Sequence, residues 1–268
     1  MKSENIKEII AIGDVHGLDR WKDVVKRHPV AHIVFMGDYC DPYKGFARST
    51  LVNNLKEIIS LKNSDPERIT LLLGNHDAHY FTEDIPRGSR YDTEIAEELR
   101  KLFNSNMHLF CNAWQYGNLL FTHAGISQYW IDKGLCHNIS PDYAQCLNNP
   151  KLLGNNPKSI YDCGYERGGS SHFGGIFWAD IRELNKLPKG MVQVAGHNRV
   201  REITHMRSYN AAEGEAADIY VCDCLWAGLY LKIEINGSEM LFYQMSLDGE
   251  EDNILLKKDP DKPHDVYI

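Results

Sequence analysis

The segment EIIAIGDVHG, residues 8–17, joins a short apolar run to a polar turn bounded by glycines. The same pattern recurs in HIVFMGDYCD, residues 32–41, and in ITLLLGNHD, residues 69–77. Helix-like stretches at 18–27 and 51–61 follow the first two turns, and the second has apolar residues at helical spacing. Fully apolar strands that alternate with such helices predict β-α-β units with both faces of the sheet covered.

The three polar turns are expected to lie near one another. Sites in open α/β sheets form beyond the carboxyl ends of the strands, where these turns emerge. A glycine at each strand end allows a sharp change of direction and a close approach of ligand atoms. The early part of the chain therefore predicts an α/β fold with a site at one edge of its sheet.

The second half of the chain is predicted to be mainly β structure. Runs at 118–122 and 191–195 precede HAG, residues 123–125, and GHN, residues 196–198. Further strands are predicted at 218–222, 229–235 and 239–245, with Asn236 and Gly237 as a type I′ hairpin signal between the last two. We expect one domain over 5–246, with an irregular insertion over the site at about 134–175, and a charged tail at 247–268.

Composition excludes several classes of function. The formal charge of −8 disfavours a broad nucleic-acid surface but leaves an anionic substrate possible, since bound cations can reverse a local field. No segment has the length and apolarity of a signal peptide or a membrane span, so we expect no membrane partner. Seven scattered cysteines favour reduced thiols and a cytoplasmic location, with Cys40, Cys222 and Cys224 buried in the core.

The turns together offer a set of metal ligands. Carboxylate, amide and imidazole donors in one place suit divalent ions such as Mn²⁺, Fe or Zn²⁺ better than thiolate sites do. Two such ions about 3.5–4 Å apart can clamp a phosphate and activate a water. The candidate donors are Asp14, His16, Asp38, Asn75, His123 and His197.

These motifs resemble the calcineurin-like metallophosphoesterase superfamily. Its signature of G-D-x-H-G, G-D-x-x-D, G-N-H-D/E, H-G/A-G and a late G-H is matched in order, and the resemblance covers about residues 8 to 235. It implies a four-layer α/β/β/α fold, a β-sandwich flanked by helices, with two divalent ions, Mn²⁺ foremost, as cofactors. Asp14 and His16 would bind the first ion and Asp38 would bridge both. Asn75, His123 and His197 would bind the second.

The resemblance also implies two catalytic residues. His76 is similar to the histidine that protonates the leaving alkoxide, and Asp41 to the aspartate that orients it. Other histidines, His79 among them, lack motif support and are interpreted as structural. Arg199 stands where many members have a further histidine, and 177–180, FWAD, resembles an L-W-S-D segment. Both features indicate the serine/threonine protein phosphatase branch and its bacterial relatives, which include diadenosine tetraphosphatases.

One departure leaves the substrate open. The branch carries Arg-Gly after the second aspartate, whereas Pro42 and Tyr43 stand there in this chain, so an arginine from elsewhere must bind phosphate. Phosphoproteins or small phosphomonoesters are the first expectation, dinucleoside polyphosphates or other nucleotides the second, and a non-catalytic metal-binding scaffold the third. The candidate arginines are Arg199 and Arg90 first, then Arg48, Arg167 and Arg182.

Overall fold

Two β-sheets pack against each other in the computed structural model, which describes residues 6–85, 87–134, 142–152, 156–210, 215–249 and 254–255. The first sheet has the strand order β12-β11-β10-β1-β2-β3-β4, in which β1 to β4 are parallel and β10 to β12 antiparallel. These strands are β1 (Glu8–Ile12), β2 (His32–Phe35), β3 (Ile69–Leu72), β4 (Phe110–Cys111), β10 (Leu229–Asn236), β11 (Glu239–Ser246) and β12 (Ile254–Leu255).

The second sheet has the order β5-β6-β7-β9-β8, and its three central strands are parallel. The outer strands β5 and β8 pair antiparallel with their neighbours. The strands are β5 (Ala113–Tyr116), β6 (Leu119–Thr122), β7 (Val192–Arg199), β8 (Thr204–Asn210) and β9 (Glu215–Asp223).

Helices and 3₁₀ turns cover the outer faces of the sandwich. The helices are α1 (Trp21–Arg27), α2 (Arg48–Ser64), α3 (Asn75–Phe81), α4 (Ala96–Asn106), α5 (Gln128–Gly134) and α6 (Tyr143–Asn148). The 3₁₀ turns are Met107–Leu109, Pro150–Leu152, Pro157–Tyr161, Tyr165–Arg167, Ile181–Glu183 and Leu225–Ala227. Among the described helices, none combines the length and apolarity that a membrane crossing requires.

Successive side chains of a strand point to opposite faces of its sheet, and this alternation explains why the fold has separate cores. In β1, Ile9 and Ala11 enter the core between the sheets, whereas Ile10 and Ile12 join the core beneath the helices. The buried face of α2 packs into that second core, with Leu55 fully buried. A third, smaller core covers the far face of the second sheet and includes Leu184, Ala195 and Ile219. The predicted α/β sandwich flanked by helices is confirmed.

Several predicted elements differ at their ends. The structure confirms β1 at the predicted bounds, but α1 begins at Trp21 rather than residue 18. The predicted hairpin between β10 and β11 is confirmed, but its type I′ turn is wrong: Asn236 pairs with Glu239, and of the two loop residues only Gly237 has a positive φ (+65°). A type I′ turn needs a positive φ at both central positions.

The expected insertion and tail are described only in part. Residues 135–141 and 153–155 of the first, and 250–253 and 256–268 of the second, lie outside the described residues. The described part of 134–175 is α6 and three 3₁₀ turns, and Leu247 at the start of the tail donates its N–H to Gly228 O. The three predicted core cysteines are buried, as expected.

Candidate active site

Strand ends from both sheets bring the predicted ligands together. Asp14 and Asp38 follow β1 and β2, and Asn75 begins α3 after β3. From the second sheet, His123 follows β6, and His197 lies in β7 where the register shifts between Ala195 and Arg199. The parallel strands of both sheets therefore end at a common edge, and every predicted ligand is buried.

Backbone geometry at this edge is unusual. Non-glycine residues rarely have a positive φ, and each such residue costs about 1–3 kcal/mol. Among the described residues other than glycine, five have one, and all five are predicted site residues. They are His16 (+44°), Asp38 (+52°), Asp41 (+56°), Arg90 (+69°) and His197 (+61°).

Two groups of ligand atoms share one carboxylate. Donor atoms of Asp14, His16 and Asp38 lie within 4.8 Å of one another, and so do those of Asp38, His123 and His197. Asn75 Oδ1 lies 2.9 Å from His123 Nε2 and 2.9 Å from His197 Nδ1. The donor set therefore fits divalent ions, and Asp38 belongs to both groups.

Carbonyl groups orient two of the imidazoles. His16 Nδ1 lies 2.8 Å from Cys40 O, and His123 Nδ1 lies 2.7 Å from Met36 O. A carbonyl only accepts, so each Nδ1 carries the proton and each Nε2 keeps its lone pair. Those Nε2 atoms lie 3.6 and 3.5 Å from the oxygens of Asp38. The tautomer that a metal needs is thus set by the backbone.

Two glycines make room for the carboxylates. A Cβ on Gly74 would lie 2.1 Å from Asp38 Oδ1, and a Cβ on Gly196 would lie 2.2 Å from Asp14 Oδ1. Both carboxylates also accept backbone hydrogen bonds, from the N–H of His76 (2.8 Å) and from that of His197 (2.9 Å). Glycine before Asn75 and before His197 is therefore required by space rather than by turn geometry.

The charges of this cluster favour cations. Burial, together with neighbouring carboxylates, raises the pKa of Asp14 and of Asp38 well above the usual value. Burial lowers the pKa of His16 and of His123 to about 3 and that of His197 well below normal. The raised pKa values mean that the ionised forms of these carboxylates have no positive partner in the cluster, and divalent ions would supply that positive charge.

Two further aspartates belong to the site. Asp77 accepts hydrogen bonds from the backbone N–H groups of Gly74, Asp38 and Tyr39, each at 2.8 Å, and so ties two turns together. Asp223 is buried at the end of β9, and its Oδ2 has no partner among the described residues. Burial raises the pKa of both to about 7. Sequence reasoning missed Asp223, although an acidic residue after an apolar strand was the signal used for Asp14.

The predicted catalytic pair is in contact. His76 Nδ1 lies 2.8 Å from Asp41 Oδ2. Although burial alone would raise it, the pKa of Asp41 is lowered by hydrogen bonds from His76 and Tyr80 and by the close imidazole of His79. His79, interpreted as structural from the sequence, places its Nε2 2.7 Å from Asp41 Oδ2. Asp41 therefore has more partners than the motif indicated.

A cavity of about 460 Å³ opens onto this cluster. Its lining includes Asp38, Asn75, His76 and His197 together with Arg90 and Arg167. The described part of the 134–175 region contributes Cys163, Gly168 and Gly169 beside Arg167. That region therefore forms one wall of the cavity.

The five candidate arginines differ in whether their side chains line the cavity. Arg90 lines the cavity, with Nη2 2.9 Å from His76 Nε2 and with a buried Nη1 that has no partner among the described residues. Arg167 also lines it, but pairs with Asp180 at 2.8 Å. Arg199 lies outside the lining. Its guanidinium stacks on Tyr43 and Trp226, while Arg48 pairs with Asp92 and Arg182 with Asp180 and Glu166.

Comparison with known proteins agrees with this architecture. The sequence profile described as calcineurin-like phosphoesterase matches residues 7–224. A cold-active protein tyrosine phosphatase superposes with a TM-score of 0.58 at 18% identity, over 94% of this chain and 79% of the other. A protein serine/threonine phosphatase from Saccharomyces cerevisiae gives 0.53 at 13% identity, over 91% and 81%. At these identities the two structures show a shared fold.

Proposed function

Because the chain belongs to the calcineurin-like phosphoesterase family and is a phosphoric ester hydrolase, we propose that it acts as a phosphomonoesterase of the serine/threonine phosphatase type. Its substrates would be phosphoserine and phosphothreonine side chains or small phosphomonoesters. The observation that carries this proposal is the sharing of Asp38 by two ligand groups, with His76 on the same cavity. That arrangement supports binding of a phosphate beside its proton donor.

The ligand roles follow the two groups. Asp14, His16 and Asp38 would hold one ion, and Asp38, Asn75, His123 and His197 the other. Two divalent ions there, Mn²⁺ foremost, would supply Lewis acidity toward the phosphoryl group and lower the pKa of a water. Direct attack of water on phosphorus then needs no covalent intermediate on the protein.

His76 and Arg90 would contact different oxygens of the reacting phosphate. His76 holds its Nδ1 proton on Asp41, so Nε2 is the atom that must deliver a proton to the leaving oxygen. Arg90 Nη2 donates to that Nε2 in this structure, and must leave it before the nitrogen can carry a proton. A bound phosphate offers the guanidinium a stronger partner, so substrate binding would free His76 at the moment it is needed.

Arg90 would also replace the missing arginine after Asp41. Tyr43 stands two residues beyond Asp41, and the Arg90 guanidinium lies 3.7 Å from the centre of its ring. A cation over an aromatic ring is held in place without losing its hydrogen-bond donors. The tyrosine would therefore fix the arginine that the motif lacks.

Hydrolysis of a dinucleoside polyphosphate or another nucleotide is the second candidate. Tyr43 is 50% exposed and lines the cavity, and Trp226 is 38% exposed beside Arg199. Exposed aromatic rings near a phosphate site are suited to stacking on a nucleobase. The free, buried thiols of Cys40, Cys222 and Cys224 support a reducing compartment such as the cytoplasm for either activity.

A substrate panel tests the proposal. With added Mn²⁺, the protein should hydrolyse p-nitrophenyl phosphate, and His76→Ala should lower kcat by about 10²- to 10⁴-fold while retaining its metal. Phosphopeptides, mononucleotides and diadenosine polyphosphates compared by kcat/KM then separate the two candidates. Wild-type turnover no higher than that of His76→Ala would refute phosphomonoester hydrolysis.

A further inference from the structure

The segment 88–92 is tied to helix α3 by three hydrogen bonds from alternate residues. Gly88 and Asp92 donate backbone N–H groups, and Arg90 between them donates a side-chain N–H. Arg90 lies in a turn with a positive φ (+69°), and the donors on either side of this turn both reach the helix, as does the Arg90 side chain. The bonds are Gly88 N–H to His79 Nδ1 at 3.2 Å, Arg90 Nη2 to His76 Nε2 at 2.9 Å and Asp92 N–H to Tyr80 Oη at 3.0 Å.

The same three side chains of α3 meet at one carboxylate. His76 Nδ1 and His79 Nε2 lie 2.8 and 2.7 Å from Asp41 Oδ2, and Tyr80 donates its hydroxyl to Asp41 Oδ1 at 2.5 Å. The His79 contact is short but not well aligned as a hydrogen bond. Each imidazole therefore has Asp41 at one ring nitrogen and the 88–92 segment at the other, and the Tyr80 hydroxyl contacts both.

The partners fix where the protons are. His76 Nε2 faces a guanidinium and His79 Nδ1 faces a backbone N–H, so both nitrogens must accept. The opposite nitrogens then carry protons toward Asp41. No imidazole lone pair is left for a cation between Asp41, His76 and His79, which distinguishes this trio from the metal-ligand groups.

Packing supports the connection. Tyr91 stacks on Tyr80 with ring centres 4.8 Å apart, and its ring also meets the edge of His79 at 5.0 Å. Gly88 and Arg90 line the cavity, as does Ser89, so the 88–92 segment is a wall of the substrate site. Displacing the segment would therefore move both Arg90 and the groups that hold Asp41.

We infer that His79 and Tyr80 are positioning residues. They hold Asp41 in place and, through Asp41, orient the proton donor His76 beside Arg90. The inference rests on the proposed function, since it needs a leaving group for His76 to protonate. Without the Tyr80 hydrogen bond and the close contact of His79, Asp41 could turn away from His76, and the His76 imidazole would lose its orientation. Metal binding would not change, because neither residue contacts the ligand groups.

The test uses aryl phosphates that differ only in their need for a proton. Phenol is a much weaker acid than 2,4-dinitrophenol, so phenyl phosphate depends on the proton donor and 2,4-dinitrophenyl phosphate hardly does. Tyr80→Phe removes one oxygen and should lower kcat/KM for phenyl phosphate about 10-fold more than for 2,4-dinitrophenyl phosphate. Bound Mn²⁺, measured on the same samples, should stay at the wild-type level.

Three variants separate positioning from general damage. In a His76→Ala background, Tyr80→Phe should leave the ratio of the two substrates unchanged, because the group it acts through is gone. His79→Gln, which can still donate to Asp41 and accept from Gly88, should lie closer to wild type than His79→Leu. Tyr230→Phe is the matched control, since Tyr230 is also fully buried and its hydroxyl contacts His28 at 3.0 Å, which is not a residue of the site.

The outcomes are distinguishable. If the wild-type protein hydrolyses neither aryl phosphate, the proposed function fails. If it hydrolyses both and Tyr80→Phe lowers them equally, as expected of Tyr230→Phe, the inference fails while the function stands. A changed substrate ratio in the His76→Ala background, or a loss of Mn²⁺ in Tyr80→Phe, would also overturn it.

Discussion

Arg90→Ala should weaken phosphate binding much more than Arg199→Ala does. Arg90 lines the cavity, and its Nη2 is 2.9 Å from the nitrogen proposed to reach the leaving group. A hydrogen bond to a charged group is worth about 1.5–3 kcal/mol, and 1.4 kcal/mol is a factor of ten. The inhibition constant for inorganic phosphate should therefore rise about 10- to 100-fold in Arg90→Ala.

Arg199 supplies the matched comparison. Its guanidinium lies 4.3 Å from the centre of the Tyr43 ring and 4.3 Å from that of Trp226, outside the cavity lining. Loss of a cation–π contact at an exposed site costs about 0.5–1 kcal/mol, which corresponds to a two- to fivefold effect. Arg90→Lys should fall between, because it keeps the charge but not the planar pair of donors.

The assay is competitive inhibition by inorganic phosphate during p-nitrophenyl phosphate hydrolysis, with Mn²⁺ content measured for each variant. The metal content should be equal in all three variants, because neither arginine belongs to the ligand groups. If Arg199→Ala raised the inhibition constant as much as Arg90→Ala, Arg90 would not be the phosphate arginine. The sequence alone had kept both residues as candidates.

Three other results are expected. Asp38→Ala should lose both ions and His16→Ala only one by metal analysis, since Asp38 is shared; equal losses would contradict the sharing. In metal-free protein, Asp77 and Asp223 have a folded pKa of about 7, above the unfolded value, so the free energy of unfolding should fall as pH rises from about 4 to about 7. The slope is up to roughly 1.4 kcal/mol per pH unit for each carboxyl, and urea unfolding that stays flat between pH 5 and 8 without metal would refute it. Burial alone would raise the pKa of Asp218, but hydrogen bonds from His205 and Arg207 lower it to about 2. The ionised carboxylate therefore stabilises the fold at any pH above the pKa that Asp218 has in the unfolded chain. Asp218→Asn should cost about 2 kcal/mol at pH 7 in urea unfolding and much less near pH 2; a pH-independent cost would contradict the linkage.

The parts of the fold that the sequence predicted have strong local signals. β1 is an apolar run followed by a glycine, β10 alternates apolar and polar residues and ends at an asparagine, and the structure places both within a residue of the expected bounds. β8, with the sequence THMRSYN, was not predicted because an edge strand with polar residues shows little alternation. The apolar spacing of helix α4 was present in the sequence, at Ala96, Leu99 and Phe103, but no motif drew attention to it.

The site, like the fold, was predicted from the sequence only in part. The convergence of the six candidate ligands followed from motifs at strand ends, whereas their roles stay proposals. Arg90 could not be singled out, because hydrogen bonds to α3 rather than any nearby motif bring it to His76. His79 and Tyr80 have no signature of their own, since their meaning depends on where Asp41 lies. Contacts between distant segments carry the information that local patterns lack.

At the five residues with a positive φ, selection for stability conflicts with preservation of the site. Glycine at His16, Arg90 or His197 would relieve backbone strain worth about 1 kcal/mol or more at each position. A directed-evolution screen that scores only melting temperature would reward such changes, although each removes a side chain from the site. Selection for thermal tolerance should therefore be paired with a turnover assay, and libraries should leave these positions fixed.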